Sequence, residues 1–519
     1  MKAPAPAGVT LTPVAQWRIL GAGQQRPDSR AIVTGAHVFP SGVRRPGMLY
    51  GAVVRPPAYG AKLAALDLAA LSLPRGVVAV RDGDFAGCAA PTSHEARQAA
   101  ATLAAAARWS APEAPASSAN LFEHLKRTQG RVREESAGAP GAQAGRRFRA
   151  EYRTAYIQHA PMEPRAAVAE WEGGRLTVWT GTSNTFSVRD ALAKAFSLNP
   201  AQVRVIVPDF GGGFGGKHTG EAAIEAARLA KEAGKPVSLR WTRAEEFAWA
   251  YCRPAALIEI SAALDGEGRI TSWDFANFNS GTAALNSPYR LPYARHRFIE
   301  CDSPLRQGSY RALASTANNF AREAFMDELA EAAGKDPLDF RLAHLDNARL
   351  RAVLEAAAER FGWRRRVAEK RPGRGVGLAC GMEKNSVVAA CAEIAIDPAS
   401  GTVRLVEIVQ AYECGKILNP ANLRQQAEGC ILQGLGAVLR ERIEFSGGMI
   451  TNGSFARYRV PRFRDTPKIE LVLLDRPDME PVGAGETPII AVAPAMANAC
   501  HHATGQRARE LPLPAAKTG

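Results

Sequence analysis

The feature that most constrains the fold is a loop, GGGFGG at residues 211–216, in which five of the six residues are glycine. A short apolar run at 203–207 precedes it and predicts a strand, and 221–233 has the apolar spacing of a helix. Glycine lets backbone N–H groups approach a ligand closely, and a helix N-terminus favours negative charge. The loop therefore predicts a tight bend between strand and helix, which serves either to hold an anionic ligand or only to allow close packing.

Two nucleotide-binding motifs match this loop in part. The run from Gly211 to Lys217 follows a Walker A loop, but His218 stands where that motif needs a Ser or Thr hydroxyl for Mg²⁺. The same glycines satisfy the dinucleotide fingerprint, which requires an acidic residue at the end of the next strand. The next predicted strand, 237–241, leads instead to Arg243. A phosphate-loop nucleotide-binding protein is an alternative function that the loop alone leaves open.

Length and charge exclude other classes of protein. At 519 residues the chain exceeds the ~250–300 residues at which a single core stops growing, so several domains are expected. The net charge of +14 comes mostly from arginines spread along the chain, without the clustered Lys/Arg tract typical of nucleic-acid binding. No stretch approaches the ~20 apolar residues of a membrane span. Neither nucleic acid nor a membrane span is expected.

The eight cysteines lie far apart and form no C-x-x-C pair, so this chain is not expected to bind zinc or an iron–sulfur cluster. Long spacings in a large chain predict buried free thiols rather than a disulfide framework. Residues 1–12 contain no apolar core of a signal peptide, so none is expected.

Turns and apolar runs divide the chain into five segments. Residues 1–16 are expected to be a flexible tail, 17–110 a compact α+β unit, and 111–148 a linker rich in Ala, Pro, Ser and Gly. Mixed α/β regions follow at 149–374 and 375–519. Their predicted helices are 188–196, 319–333, 349–361 and 421–442, and their predicted strands include 166–171, 176–180, 387–396 and 403–410. The expected fold class is α+β.

Further motifs follow one another along the chain: HAPMEP at 159–164, GSYRA at 308–312, FMDEL at 325–329, EGCILQGLG at 428–436 and GAGETP at 483–488. Together with GGGFGGK at 211–217, they resemble the molybdopterin-binding subunit of the xanthine dehydrogenase family, over roughly residues 17–512. The details at 304–311 and 484–490 look like the isoquinoline 1-oxidoreductase and nicotinate dehydrogenase branch. The resemblance implies an N-terminal a/b hammerhead domain followed by mixed α/β molybdopterin-binding domains.

This resemblance implies a molybdenum hydroxylase that oxidises an N-heteroaromatic compound or an aldehyde, with water as the oxygen source. In the family a glutamate deprotonates a molybdenum-bound hydroxyl, the oxygen attacks the substrate carbon, and hydride passes to a sulfido ligand; Glu486 would be that general base. Arg311 would steady negative charge near the active site. The pterin, expected as its cytosine dinucleotide, holds the metal without a protein ligand. Cofactor contacts are implied for Gly212, Gly213, Phe214, Gly215, Gly216, Arg311, Gln433, Gly434 and Gly485.

The glutamate between Gly485 and the apolar run at 489–493 has surroundings that could desolvate its carboxylate and make it a competent base. Two other positions depart from xanthine-oxidising relatives. His218 replaces a glutamate that helps to bind purine, and Ile157 replaces a glutamine near the apical oxo ligand, so purine oxidation is not expected. Lys217, His218 and Ile157 are candidates for lining the substrate pocket.

The family's cofactor subunit has a further block of about 150–200 residues with a G-Q-G-x-x-T loop, which does not occur in this sequence. We expect this block on a separate chain, so that the cofactor lies between two chains. The resemblance also implies a partner with [2Fe-2S] clusters and a further c-type cytochrome or FAD subunit. Both cytoplasmic residence and periplasmic co-export with a signal-bearing partner fit the sequence. A non-catalytic scaffold subunit of such a complex is a second alternative.

Overall fold

The computed structural model describes residues 8–10, 12–114, 116–139 and 145–516. The helices in these ranges are α1 (Ser29–Val33), α2 (Ser93–Ala106), α3 (Leu121–Arg127), α4 (Thr185–Ala195), α5 (Glu221–Ala233), α6 (Arg243–Trp249), α7 (Ser315–Ala332), α8 (Pro337–Ala343), α9 (Ala348–Phe361), α10 (Trp363–Ala368), α11 (Pro420–Leu439) and α12 (Val492–Thr504). The strands are β1 (Leu49–Val54), β2 (Lys62–Ala65), β3 (Val78–Asp82), β4 (Phe85–Ala90), β5 (Arg108–Ser110), β6 (Gln129–Gly138), β7 (Arg146–Thr154), β8 (Ala166–Glu172), β9 (Arg175–Thr180), β10 (Val203–Ile206), β11 (Val237–Arg240), β12 (Ala256–Leu264), β13 (Ile270–Phe278), β14 (Tyr293–Cys301), β15 (Arg374–Glu383), β16 (Ser386–Ile396), β17 (Val403–Glu413), β18 (Phe445–Ser446), β19 (Met449–Ile450), β20 (Lys468–Leu473) and β21 (Glu510–Leu511).

A seven-stranded mixed sheet has the order β10-β9-β8-β11-β1-β4-β3. It joins the segment predicted as a separate N-terminal unit to the next region, because β1 pairs in parallel with β11. Helix α5 packs on this sheet through an alanine-rich face. The approach is close: a Cβ on Gly51 of β1 would lie 2.7 Å from the Leu229 side chain. Contacts between residues far apart in the sequence therefore join the segment 17–110 and the region that follows it in one sheet, although the local sequence pattern predicts two separate units.

A six-stranded sheet has the order β21-β7-β12-β13-β14-β6. Its edge strand β6 and the helix α3 lie inside 111–148, so the expectation of an irregular linker there is wrong. Every residue of β6 is exposed, and a strand that buries neither face lacks the alternating pattern by which strands are recognised. Residues 115 and 140–144 of that segment, and residues 1–7 and 11 of the predicted N-terminal tail, lie outside the described ranges.

A four-stranded sheet, β15-β16-β17-β20, carries helix α12 packed closely against β15. A Cβ on Gly377 of β15 would lie 2.3 Å from the Ala495 carbonyl oxygen of α12, so glycine is required there. Helix α12 follows a 3-10 turn, Thr487–Ala491, which begins immediately after Glu486. The packing of α12 therefore fixes where the turn at Glu486 lies.

Helix α7, predicted over 319–333, spans Ser315–Ala332 and is buried on almost every side. Its polar side chains have partners: Asn319 donates to the Ile490 carbonyl at 3.0 Å, and Glu323 pairs with Arg341 at 2.9 Å. A helix with polar side chains can be buried in full only where the surrounding fold satisfies those groups. The helix begins at Ser315, directly after the segment that carries Arg311.

Several predicted strands, helices and buried thiols agree with the structure. Strands β8 and β9 lie within one residue of the predicted bounds and pair as an antiparallel hairpin, and α5 has the predicted bounds. All eight cysteines are free, and seven of them are buried. No helix within the described ranges is both long and apolar enough to cross a membrane.

Candidate active site

A cavity of about 510 Å³ lies where several loops from distant parts of the chain meet. The glycine loop, the segment 309–313, helix α11 and the turn at 485–486 all contribute to its wall. The lining residues are Ser183, Phe214, Gly215, His218, Ser309, Tyr310, Arg311, Leu313, Lys384, Gln426, Gly485 and Glu486. The cavity thus unites motifs that are widely separated in the sequence.

The glycine loop needs its glycines for close packing against the neighbouring segment. Gly215 has φ +92°, and a Cβ there would lie 2.9 Å from both N and Cα of Tyr310. A Cβ on Gly216 would lie 2.7 Å from the ring of His159. Phe214 between strand and helix also has positive φ, at 51°, and its side chain is 42% exposed. Non-glycine residues in this conformation are uncommon and occur preferentially at functional sites.

His159 holds the glycine loop and the segment at 309 together. Its Nε2 lies 2.7 Å from the Ser309 carbonyl oxygen and its Nδ1 lies 3.2 Å from Gln158 Oε1. Both oxygens can only accept, and the shorter contact assigns the proton of the neutral ring to Nε2. Burial lowers the pKa of His159 to about 3, because a low-dielectric site disfavours the charged imidazole. A neutral histidine that donates to Ser309 therefore links the HAPMEP motif to the GSYRA motif.

Arg311 is only 8% exposed and donates to three acceptors in two segments, the turn at 485–486 and helix α11. Its Nε lies 2.8 Å from the Gly485 carbonyl, Nη1 lies 3.1 Å from Gln433 Oε1, and Nη2 lies 3.0 Å from Gln426 Oε1. No carboxylate forms an ion pair with this guanidinium among the described residues. All three partners are neutral, so the positive charge at the cavity wall is available to an anionic or acceptor-rich group.

Glu486 is partly buried. Its Oε2 accepts a hydrogen bond of 2.6 Å from the backbone N–H of Ala312. Ala312 and Leu313 have φ of 62° and 50°, so the segment that presents this N–H is held in a strained conformation. Within the described chain, the other carboxylate oxygen makes no hydrogen bond, which leaves it free for a ligand of the cavity.

The structure brings six of the residues predicted from the motifs to the cavity wall, namely Phe214, Gly215, His218, Arg311, Gly485 and Glu486. Gln433 lies behind Arg311 and contacts it. Gly212, Gly213, Gly216 and Gly434 do not line the cavity. Gly434 instead allows α11 to approach the turn after Glu486 and the start of α12, since a Cβ there would lie 3.2 Å from Ile489 and 3.1 Å from Val492.

Two pocket candidates lie elsewhere. Lys217 is buried in an ion pair with Glu163, with 2.9 Å between Nζ and Oε2, and burial lowers the pKa of its ammonium. Ile157 is buried in a β-bridge to Arg253. Neither residue lines the cavity. Because Lys217 follows the glycine loop, its place in the sequence suggested a contact with a ligand. Its partner Glu163 lies in another segment, so only the three-dimensional structure shows the ion pair.

Sequence reasoning missed several residues of the wall, among them Tyr310, Lys384 and Gln426. Gln426 could have been found, because it lies seven residues before Gln433 on α11 and therefore two turns away on the same face. Lys384 occupies a two-residue turn with Asn385 between β15 and β16, and both have positive φ. No local pattern places that turn beside Glu486.

Two family models described as "Molybdopterin cofactor-binding domain" match the chain, one over residues 115–345 and the other over 385–467. Between them they include the glycine loop, Arg311 and Gln433. The chain belongs to the xanthine dehydrogenase family of molybdopterin-binding subunits. The start of the first match at residue 115 agrees with the ordered elements found in the segment predicted to be a linker.

Two of the curated relatives carry the names of the expected branch. One subunit of the nicotinate dehydrogenase of Pseudomonas putida is 29% identical over 97% of this chain and 47% of that protein. One subunit of the isoquinoline 1-oxidoreductase of Brevundimonas diminuta is 28% identical over 98% of this chain and 70% of that protein. The chain therefore spans about half the length of the first relative.

The fold also matches solved structures of molybdenum hydroxylases. Quinoline 2-oxidoreductase from Pseudomonas putida 86 superposes with a TM-score of 0.84 at 16% identity, covering 95% of this chain and 97% of that one. Aldehyde oxidoreductase from Desulfovibrio gigas has the same TM-score at 17% identity, covering 95% of this chain and 80% of that one. At such identities the likeness shows a shared mixed α/β fold.

Proposed function

We propose that this chain is the cofactor-binding subunit of a molybdenum hydroxylase that oxidises an N-heteroaromatic compound or an aldehyde, with water as the oxygen source. The observation that carries the proposal is that Phe214, Arg311 and Glu486 line one cavity. These residues come from three motifs of the family, and a chance resemblance would not bring them together.

The donors of the cavity fit molybdopterin, which carries many acceptor atoms and a phosphate. Arg311 has no carboxylate partner among the described residues, and the amide nitrogen of Gln426 donates to no acceptor there. With the backbone at Gly215, they would hold the cofactor, which we propose to be the cytosine dinucleotide form, and Gln433 would support Arg311 from behind. When bound with molybdenum, this group takes up the two electrons of the oxidation.

Glu486 acts as the general base in this proposal. Among the described residues that line the cavity it is the only carboxylate. The N–H of Ala312 fixes one carboxylate oxygen, so the other can accept the proton that is released when the water-derived oxygen attacks the substrate. Arg311 stabilises negative charge beside it. His218, on the opposite loop, contacts the substrate.

We infer that residues 17–110 correspond to the a/b hammerhead domain, and that 149–374 and 375–519 correspond to two molybdopterin-binding domains, the first extended towards residue 115. A further cofactor-binding block would belong to a partner chain. A compact turn of Lys384 and Asn385 joins β15 and β16 directly, so the block does not lie between these strands. A [2Fe-2S] partner, followed by a c-type cytochrome or FAD subunit, would carry the electrons onward.

The test is a Glu486→Gln variant, purified together with its partner chains and compared with wild type for molybdenum content and for dye reduction with nicotinate, isoquinoline and benzaldehyde. We expect full molybdenum content and activity lower by about 10²- to 10⁴-fold, because the base is lost. Glu428→Gln is the matched control, since Glu428 lies on α11 but does not line the cavity. Molybdenum-free protein that binds ATP or NAD would support the nucleotide-binding alternative. An assembled complex without molybdenum would support the scaffold alternative.

A further inference from the structure

Three buried hydroxyl groups lie behind the turn that carries Glu486. They belong to Ser386 at the start of β16, Tyr412 near the end of β17, and Thr487 directly after Glu486, and all three residues are fully buried. Ser386 Oγ and Thr487 Oγ1 are 2.6 Å apart, and the Tyr412 hydroxyl lies 3.3 Å from Ser386 Oγ. We call these residues the hydroxyl cluster.

The hydroxyl cluster holds the backbone on both sides of Glu486. Before it, the carbonyl of Gly483 accepts from Ser386 Oγ at 2.7 Å and from the Tyr412 hydroxyl at 2.9 Å. After it, Thr487 Oγ1 donates to the Glu383 carbonyl at 2.9 Å. The backbone around Glu486 is therefore tied to the β15–β16 hairpin at two points.

The hairpin and the opposite wall of the cavity are also connected. A Cβ on Gly483 would lie 2.5 Å from Lys384 Cβ, so the turn between β15 and β16 packs directly on the Glu486 segment. The side chain of Glu383 accepts a hydrogen bond from Ser315 Oγ at the start of α7. Helix α7 begins just after Ala312, whose N–H donates to the Glu486 carboxylate. The same helix therefore supports both this N–H donor and the β15–β16 turn that packs on the Glu486 segment.

We propose that the hydroxyl cluster is a positioning device for Glu486, which sets the distance between its carboxylate and the Ala312 N–H. The proposal rests on the proposed function of Glu486 as a base. Loss of one hydroxyl removes a hydrogen bond from the buried backbone on one side of Glu486, so the turn is held by fewer contacts and can shift. A general base must be held in its productive geometry, and a displacement of about 1 Å at a catalytic group costs on the order of 10²-fold in rate.

The experiment compares Thr487→Val with Thr180→Val in the complex purified with its partner chains. Thr180 is a matched control, because it is buried and donates to the Ala166 carbonyl at 2.8 Å in the seven-stranded sheet. We expect both variants to lower the thermal unfolding midpoint similarly. Only Thr487→Val should lower kcat, on the order of tenfold, with KM and molybdenum content unchanged, and Thr487→Ser should restore kcat. Tyr412→Phe, which removes a single donor, should also lower kcat and covers the case in which Thr487→Val does not fold.

Three results separate failure of this inference from failure of the proposed function. If Thr487→Val and Tyr412→Phe leave kcat unchanged while Glu486→Gln abolishes activity, the positioning role is wrong and the base assignment stands. If Glu486→Gln retains full activity in a molybdenum-loaded complex, the base assignment itself is wrong. If Thr487→Ser fails to restore kcat, the methyl group rather than the hydroxyl matters, and the positioning role is again overturned.

Discussion

The carboxylate of Glu486 accepts a hydrogen bond of 2.6 Å from the backbone N–H of Ala312, although 174 residues separate the two along the chain. The donor is held by two successive residues with positive φ, Ala312 and Leu313. Such conformations cost about 1–3 kcal/mol each and persist only where surrounding contacts impose them. Here those contacts include Arg311, which reaches the Gly485 carbonyl at 2.8 Å. Arg311 and Ala312, which are adjacent in one segment, therefore bind Gly485 and Glu486, which are adjacent in the other.

Gly215→Ala should damage the candidate site more than a glycine substitution elsewhere. The added Cβ would meet the Tyr310 backbone at 2.9 Å, in addition to the strain of φ +92°. Gly234→Ala is the matched control, because it has φ +58° with open space around it and loses only about 1–2 kcal/mol from the backbone conformation. Thermal unfolding and molybdenum content of both variants measure the difference. If Gly215→Ala and Gly234→Ala had equal unfolding midpoints and equal molybdenum content, the glycine loop would not pack on the Tyr310 backbone as closely as described.

Glu246→Ala should destabilise the protein strongly, because it removes the nearest carboxylate partner of the buried Arg165 guanidinium and leaves only the longer ion pair with Glu221, at 3.6 Å. Both side chains are buried, at 4% exposure for Arg165 and 1% for Glu246. Arg165 also donates to the Gly216 carbonyl, so the glycine loop should loosen as well. Removing one partner of a buried ion pair costs about 3–5 kcal/mol. Asp84→Asn, which breaks the exposed pair with Lys62, is the control and should leave the thermal midpoint almost unchanged. Similar thermal midpoints for Glu246→Ala and Asp84→Asn would contradict a stabilising role of the buried ion pair between Arg165 and Glu246.

Glu441 should make stability depend on pH. Burial raises the pKa of its carboxyl from 4.5 to about 8, so the native protein keeps a proton that the unfolded chain loses above pH 4.5. Stability from this group is therefore complete below about pH 4.5 and is lost as pH rises towards 8. Glu441→Gln replaces the protonated carboxyl with a neutral group of the same shape. The drop in thermal midpoint from about pH 5 to about pH 8.5 should be smaller in this variant than in wild type. The exposed Glu267→Gln should follow the wild-type curve, and a Glu441→Gln curve parallel to wild type would refute the assignment.

Much of the secondary structure could be predicted because it depends on local patterns. Helix α5 shows its apolar face in the spacing of its alanines, and the β8–β9 hairpin is marked by a Gly-Gly turn. Strand β6 could not be predicted, since all ten of its residues are exposed and it is an edge strand that pairs with β14. The pairing of β1 with β11 could not be predicted either. The two strands lie far apart in the chain, and no sequence pattern indicates which strands become neighbours in the sheet.

The sequence by itself determined the family and the chemistry that the site can offer. The glycine loop, the arginine at 311 and the glutamate at 486 stand in motifs whose residue types are specific enough to be recognised without a structure. Only the tertiary structure decided which of the named residues meet. Lys217 pairs with Glu163, Gln426 and Lys384 line the cavity, and the hydroxyls of Ser386, Tyr412 and Thr487 lie together behind Glu486. The physical reason is that hydrogen bonds and packing act over a few ångströms in space, whereas a motif records only neighbours along the chain.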